Sequence, residues 1–236
     1  MNLAVTSRSL CDVSGKPIRE IPDVGVGITA LKMVRASGNL SALLLAVTGH
    51  CPSLERLNVS SCSLASLNRD SLCQIVAKET LQHVDAAHVR GMSAEDLAII
   101  LASLNSDCRT LNLADSCHAD PVLWPCFARF RQMEVLSLAG WMGLSDEGLS
   151  HLPTTLSSLD LSRTSITRFS FLKRLSRLAH LDLDGVRLTD SAQDDLVSAL
   201  STKQGIRVRV NMTRLPQERA LSPERVAALS TAVTFY

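Results

Sequence analysis

The chain has 236 residues, of which 46% are hydrophobic and 20% charged, and a formal net charge of +1. That length can bury a substantial core, and the even balance of charge leaves no electrostatic footprint for nucleic acid. Aromatic residues, at 3%, offer few platforms for base stacking, and the opening MNLAVTSRSLCDVSGKP lacks the apolar centre of a signal peptide; no apolar run approaches the roughly 18 residues of a membrane span.

Residues 1–27 open on LAVTSRSL, from Leu3, which reads as a strand. The stretch CDVSGKPIREIPDVGVG that follows has Gly, Pro and charge but no helical spacing, so it predicts an extended or short-helical return. No polar helix or hairpin stands ahead of the first strand. Its edge is therefore expected to be bare, to be capped by another chain or by sequence missing from this one.

One phrase then recurs along the chain. ITALKMVRASG begins at Ile28, LERLNVSSCSL at Leu54, LQHVDAAHVRG at Leu81 and CRTLNLADSCH at Cys108; MEVLSLAGWMG follows at Met133, LSSLDLSRTSI at Leu156, LAHLDLDGVRL at Leu178 and GIRVRVNMTRL at Gly205. The clearest copies fit LxxLxLxxxxL. Their inner apolar pair lies two residues apart, the side-chain period of a strand, so the residues between and beside it face the other way. The starts are 26, 27, 27, 25, 23, 22 and 27 residues apart. A strand this short cannot bury its apolar row alone, so copies at a near-constant period must stack and share a core.

Between the phrases lie the returns. LSALLLAVTGH, LNRDSLCQIVAKE and MSAEDLAIILASLNS predict helices; in the last, Leu97, Ile100, Leu101 and Leu104 share a face and Ser93 precedes Glu95 and Asp96, a helix-start signal. DPVLWPCFARFRQM, with Trp124, Phe127 and Phe130, reads as a broken helix filling the core, with an exposed anchor for a partner as the alternative. After Leu156 the returns tighten, as in TRFSFLKRLSR. Residues 189–204 restore a helix with Leu196, Ala199 and Leu200 inward, and SPERVAALSTAV from Ser222 predicts a last amphipathic helix.

Eight or nine registered copies at this period resemble the leucine-rich repeat family over essentially the whole chain. The resemblance implies an α/β fold: a right-handed leucine-rich repeat solenoid with a parallel sheet on the concave face and helices and turns on the convex face. It is expected to form a single domain, 1–236, with 1–27 a partial first repeat and 216–236 a C-terminal capping helix. The position usually held by Asn or Cys is Cys62 in one copy but Val89, Ser116, Trp141, Thr164, Val186 and Thr213 elsewhere. An asparagine ladder is therefore absent, and water or Ser/Thr hydroxyls must satisfy the turn backbones. Repeat lengths are mixed, and GLSDEGLSHL (143–152) and RLTDSAQDDL (187–196) resemble cysteine-containing, ribonuclease-inhibitor-like repeats common in ubiquitin-ligase substrate receptors.

Function implied by this resemblance is a non-catalytic protein–protein interaction module, an adaptor or structural subunit gripping a protein partner on its concave face. Two alternatives are a ubiquitin-ligase substrate-recognition part, which would need sequence beyond this chain, and a GTPase regulator, whose catalytic Asn/Arg set finds no match here. Along the concave face a central column runs Lys32, Asn58, Asp85, Asn112, Ser137, Asp160, Asp182 and Arg209. The candidate partner-binding residues are Asp85, Asn112, Asp160, Arg163, His180, Asp182, Asp184, Arg207 and Arg209. A solvated salt-bridge ladder and a polar docking patch both fit them.

Other chemistry finds less support. Ser158, His180 and Asp182 superficially suggest nucleophile, base and orienter, but oxyanion donors and a wall against water are lacking. His83 and His88 could ligate zinc only if Cys62 or Cys117 turned outward, and Cys62 is better placed in the core turn. No phosphate loop, dinucleotide fingerprint or paired CxxC motif occurs, so no enzyme activity, metal or cofactor is expected. Seven cysteines, none in the last 110 residues, read as reduced buried thiols and an intracellular, cytoplasmic protein. The sequons at Asn39, Asn58 and Asn211 then read as accidental.

Overall fold

The structure, a computed structural model, describes residues 28–36, 40–201, 203, 205–209 and 224, with the backbone of 2–6, 9–12 and 233–235. Two compact units divide it, Met1–Cys117 and His118–Tyr236.

In the first unit, short strands alternate with helical returns. Strands β3 (Ala30–Lys32), β4 (Arg56–Asn58), β5 (His83–Asp85) and β6 (Thr110–Asn112) pair parallel and in register, each starting two residues after a repeat start. The returns are α1 (Ser41–His50), α2 (Leu64–Leu67), α3 (Arg69–Val76) and α4 (Ala94–Ser103). Helix α4 begins where its sequence says: Ser93 Oγ accepts from Asp96 N at 3.0 Å, and the Asp96 carboxylate reaches back to the Ser93 amide in a capping box. Asn68 caps α3 through Oδ1, which accepts from Asp70 N and Ser71 N.

The N-terminal edge corrects the expectation of a bare strand. β1 (Asn2–Thr6) pairs parallel with β3, and β2 (Ser9–Asp12) folds back antiparallel on its other side. The backbone groups of β1 are therefore covered by the chain itself, and β2 becomes the outermost strand.

In the second unit, β7 (Val135–Ser137), β8 (Ser158–Asp160), β9 (His180–Asp182) and β10 (Ile206–Arg209) continue the pattern in parallel register. Their returns shrink to a 3-10 turn (Pro121–Leu123) with α5 (Trp124–Phe127), the four-residue α6 (Asp146–Leu149) and a 3-10 turn (Ser170–Arg174), before α7 (Asp190–Leu200) restores a full helix with Leu196, Ala199 and Leu200 buried. Trp124, Phe127 and Phe130 are buried, so the bulky return fills the core and the exposed-anchor alternative is excluded. Of the expected capping helix over 216–236, residues 233–235 are instead a strand, β11 (Val233–Phe235), parallel to β10; the rest lies outside the described residues apart from Glu224, which is helical.

The core follows the repeated phrase. Leu31, Leu57, Val84 and Leu111 in one unit, and Leu136, Leu159, Leu181 and Val208 in the other, are each at most 5% exposed. So are the residues two further on: Met33, Val59, Ala86 and Leu113, then Leu138, Leu161 and Leu183. Alternation along each strand thus sends one row inward and leaves the other on the surface.

A second periodic feature lies seven residues after each of the first seven starts. Arg35, Ser61, His88, Asp115 and Arg163 adopt positive φ there, between 52° and 60°, and glycine takes the same place at Gly140 and Gly185, at 73°. This left-handed residue turns the chain out of the strand and donates its amide to the next repeat: Ser61 N to Ala87 O at 2.8 Å, His88 N to Ala114 O at 2.7 Å, Arg163 N to Asp184 O at 2.7 Å. A non-glycine residue held there costs roughly 1–2 kcal/mol, which stacking must offset.

The turn interior replaces the asparagine ladder as expected. Ser116 Oγ donates to Ala86 O and accepts from Val89 N at 3.3 Å; Thr164 Oγ1 donates to Leu161 O at 2.7 Å; the Cys62 thiol donates to Met33 O at 2.7 Å. Cys51, Cys62 and Cys108 are buried and unbridged, and burial pushes the Cys108 thiol up to about 12. Among the described residues no helix is long and apolar enough to cross a membrane.

Candidate functional site

The surface row of each strand is the candidate site, and its central column is built by one local bond. Each Asx side chain there accepts from the backbone amide two residues on: Asn58 from Ser60 N at 2.9 Å, Asp85 from Ala87 N at 3.2 Å, Asn112 from Ala114 N at 3.1 Å, Asp160 from Ser162 N and Asp182 from Asp184 N, both at 2.9 Å. These Asx turns end the strand by occupying an amide that would otherwise lack a partner. The column read from sequence as partner-binding thus has a structural task that the reading missed. Its signal was an Asx or Ser at the fourth residue after six of the eight repeat starts.

On the first unit's face, Asp85 and Asn112 are lateral neighbours. The second oxygen of Asp85 accepts from Asn58 Nδ2 at 2.8 Å, and His83 Nδ1 lies 3.0 Å from Thr110 Oγ1. A hollow of about 350 Å³ opens here, lined by Ala30, Lys32, Arg56, Asn58, His83 and Asp85, with Thr110 and Asn112 at the far end. Ala30, the small member of the row, leaves the space beside Arg56. The cations of Lys32 and Arg56 have no hydrogen-bond or ion-pair partner among the described residues. Arg56 and Thr110 were absent from the candidates read from sequence, although the residue two after each repeat start must share the face with the one four after it.

On the second unit's face, Asp160 and Asp182 are lateral neighbours, as are Ser158 and His180, and His180 and Arg207. Asp160 takes the Ser137 hydroxyl at 2.9 Å, and Asp182 takes Arg209 Nη1 at 3.3 Å. Arg163 sits in the left-handed turn above them, exposed, and Asp184 follows Asp182 on the same side, half-buried. Two opposing influences meet at Asp182. Burial raises its pKa and the Asp160 and Asp184 charges add to that, while the Asp184 amide and Arg209 pull it down; the balance is a raised value. The Asp182–Arg209 contact joins two members of the expected ladder as an ion pair.

The triad-like set does not assemble. Both Asp182 oxygens are engaged by Asp184 N and Arg209, and neither Ser158 nor His180 makes a side-chain hydrogen bond among the described residues. His83 and His88 are likewise separated in role, His83 beside Thr110 and His88 Nδ1 3.5 Å from Asp115, while Cys62 turns into the core. Among the described residues no three His, Cys, Asp or Glu side chains are grouped to hold a metal.

No protein-family model matches the chain, and no curated protein matches it either. Solved structures do. A crystal structure of an internalin C2 (inlC2) from Listeria monocytogenes superposes with a TM-score of 0.51 and 14% identity, covering 84% of this chain and 92% of that one. An internalin (inlF) from the same organism gives a TM-score of 0.57 at 14% identity, covering 88% of this chain and 60% of its own length. Likeness at this identity establishes architecture alone, and with the parallel strands and buried leucine rows it makes the fold an α/β leucine-rich repeat solenoid.

Proposed function

We propose that the chain is a non-catalytic protein-binding module, an adaptor or structural subunit that holds a protein partner on its strand faces. The observation carrying this is the first unit's hollow, where Lys32 and Arg56 stand unpartnered beside a cavity of about 350 Å³. The strand backbone that carries them is already ordered, so the ordering cost of binding falls on the side chains alone. The cation pair suits an acidic segment of the partner. On the second unit, Asp160, Arg163, His180, Asp182, Asp184, Arg207 and Arg209 form the remaining proposed contact residues, with Asp85 and Asn112 on the first.

A single domain over 1–236 and an intracellular, cytoplasmic setting belong to the same proposal. The buried, unbridged thiols of Cys51, Cys62 and Cys108 support the last of these. The ligase and GTPase-regulator readings gain nothing from the two motifs that prompted the first of them. Ser145 and Thr189 serve there as N-caps of α6 and α7, and Asp146 accepts from Ser170 Oγ and Phe171 N of the following return.

The test uses affinity capture from the native source with three baits: wild type, the face variant Lys32→Glu/Arg56→Glu, and a return-side variant, Leu45→Glu/Ile99→Glu. All four side chains are exposed, so folding should survive, as a melting curve would verify. A partner kept by the return-side bait and lost by the face bait supports the proposal. One lost only by the return-side bait contradicts it.

A further inference from the structure

A second hollow lies away from the strand faces, on the side of the second unit where three successive returns enter β7, β8 and β9. Its volume is about 570 Å³, and its lining includes Arg131, Ser150, His151, Thr154, Thr155 and Arg174 over a floor of Phe130 and Leu152. Volumes of this order are those of ligand sites. No carboxylate lines it: Glu134 and Glu147, the acids nearest in sequence, are both outside the lining.

The available donors can be counted. Arg131 and Arg174 are exposed at the rim, and neither guanidinium has a hydrogen-bond or ion-pair partner among the described residues. Thr154 is also without one. Ser150 Oγ already donates to Glu147 O at 2.6 Å and Thr155 Oγ1 to Met133 O at 2.7 Å, so these two hydroxyls fix the loop rather than await a ligand. His151 Nδ1 stands 3.2 Å from Glu147 O. A carbonyl can only accept, so Nδ1 carries the hydrogen and Nε2 is left for another group. Two uncommitted guanidiniums and a hydroxyl around one cavity, with no negative charge among its walls, suit an anion of more than one charge and several acceptor oxygens.

We propose that this cavity binds a phosphate monoester. A phosphoryl group offers the charge and the planar pairs of oxygens that guanidinium forks match bidentately. The cavity exceeds what the phosphoryl group alone would fill, leaving the apolar floor of Phe130 and Leu152 to take the organic group that bears it. That group is a small phosphorylated molecule or a phosphorylated side chain of another protein. This site is independent of the strand faces.

Isothermal titration of the full chain with inorganic phosphate, O-phospho-L-serine, a tripeptide centred on phosphoserine and its unphosphorylated counterpart tests the assignment. Expected is saturable binding of O-phospho-L-serine, tighter than inorganic phosphate, that falls about tenfold or more in Arg131→Gln/Arg174→Gln at an unchanged melting temperature. Tripeptide binding at least as tight as the amino acid assigns the source as a protein side chain; exclusion of the tripeptide assigns a small molecule. Absence of saturable binding, an equal affinity for inorganic phosphate or the unphosphorylated peptide, or full affinity in the folded double variant would overturn the proposal. Thr154→Val provides a milder change at the same rim and should weaken binding without altering stability.

Discussion

Asp182 shows how one side chain divides its duties. One oxygen ends β9 by accepting the Asp184 amide, and the other meets Arg209. Burial and the neighbouring Asp160 outweigh that arginine, so its folded pKa lies above the ordinary aspartate value. A carboxyl in this position binds its proton more tightly folded than unfolded. Its ionised form therefore costs stability above the folded pKa, and the cost is relieved as pH falls through that pKa toward the unfolded one. Asp182→Asn keeps the acceptor for Asp184 N and removes the charge. We expect the variant to melt above wild type at neutral pH, with the gap closing as the solution is acidified; melting curves across pH 3–7 should reveal a constant gap if burial is not the cause. Asp160→Ala, which loses the bond to Ser162 N, should instead destabilise by about 0.5–1.5 kcal/mol in chemical denaturation, with Asp160→Asn close to neutral.

Gly148 makes the same point through space rather than charge. A Cβ there would overlap the Trp124 indole ring. Gly148→Ala should thus cost about 1–3 kcal/mol through overpacking, measurable by denaturant titration, and Trp124 fluorescence should shift with it. Nothing in the sequence pairs Gly148 with Trp124, which stand on successive returns, so this contact was illegible until both were placed.

At the scale of the element, the strands were the most legible feature. Each observed strand from β3 to β9 starts two residues after a repeat start, because alternation of leucine with polar residues admits one register only. The helices α4 and α7 were also readable, α4 through its Ser93 start signal and α7 through the inward spacing of Leu196, Ala199 and Leu200. Leu161, fully buried, belongs to the inward row; Leu161→Ala should destabilise by about 2–5 kcal/mol by equilibrium unfolding, and a loss under 1 kcal/mol would mean the row is not packed. Ser116→Ala tests the substitute for the asparagine ladder, since it leaves the buried carbonyl of Ala86 without its donor. A cost of about 1–3 kcal/mol is expected in the same assay.

What escaped the sequence has physical reasons. β1 and β2 pair antiparallel, but the sequence between them, Ser7-Arg8, gives none of the Asn-Gly or Asp-Gly signal of a tight hairpin. β11 is three residues long and sits at the end of a stretch whose spacing reads as helix. On the site, lateral pairs such as Asp160 with Asp182 followed from register, whereas the Asx bonds and the pairing of Asp85 with Asn58 depend on rotamers that periodicity does not specify.

For the whole molecule, tiling one short repeat turns leucine inward and leaves a polar strand row on the surface, which we propose holds another protein. Once the capture experiment has identified that protein, hydrogen exchange of the complex against the free chain tests the claim most directly. Protection gained on binding should fall on peptides covering 56–58, 83–85 and 110–112, and on 158–160, 180–182 and 206–209. Protection confined to 41–50, 69–76 and 94–103, with the strand peptides unchanged, would place the partner on the helical returns and contradict the account.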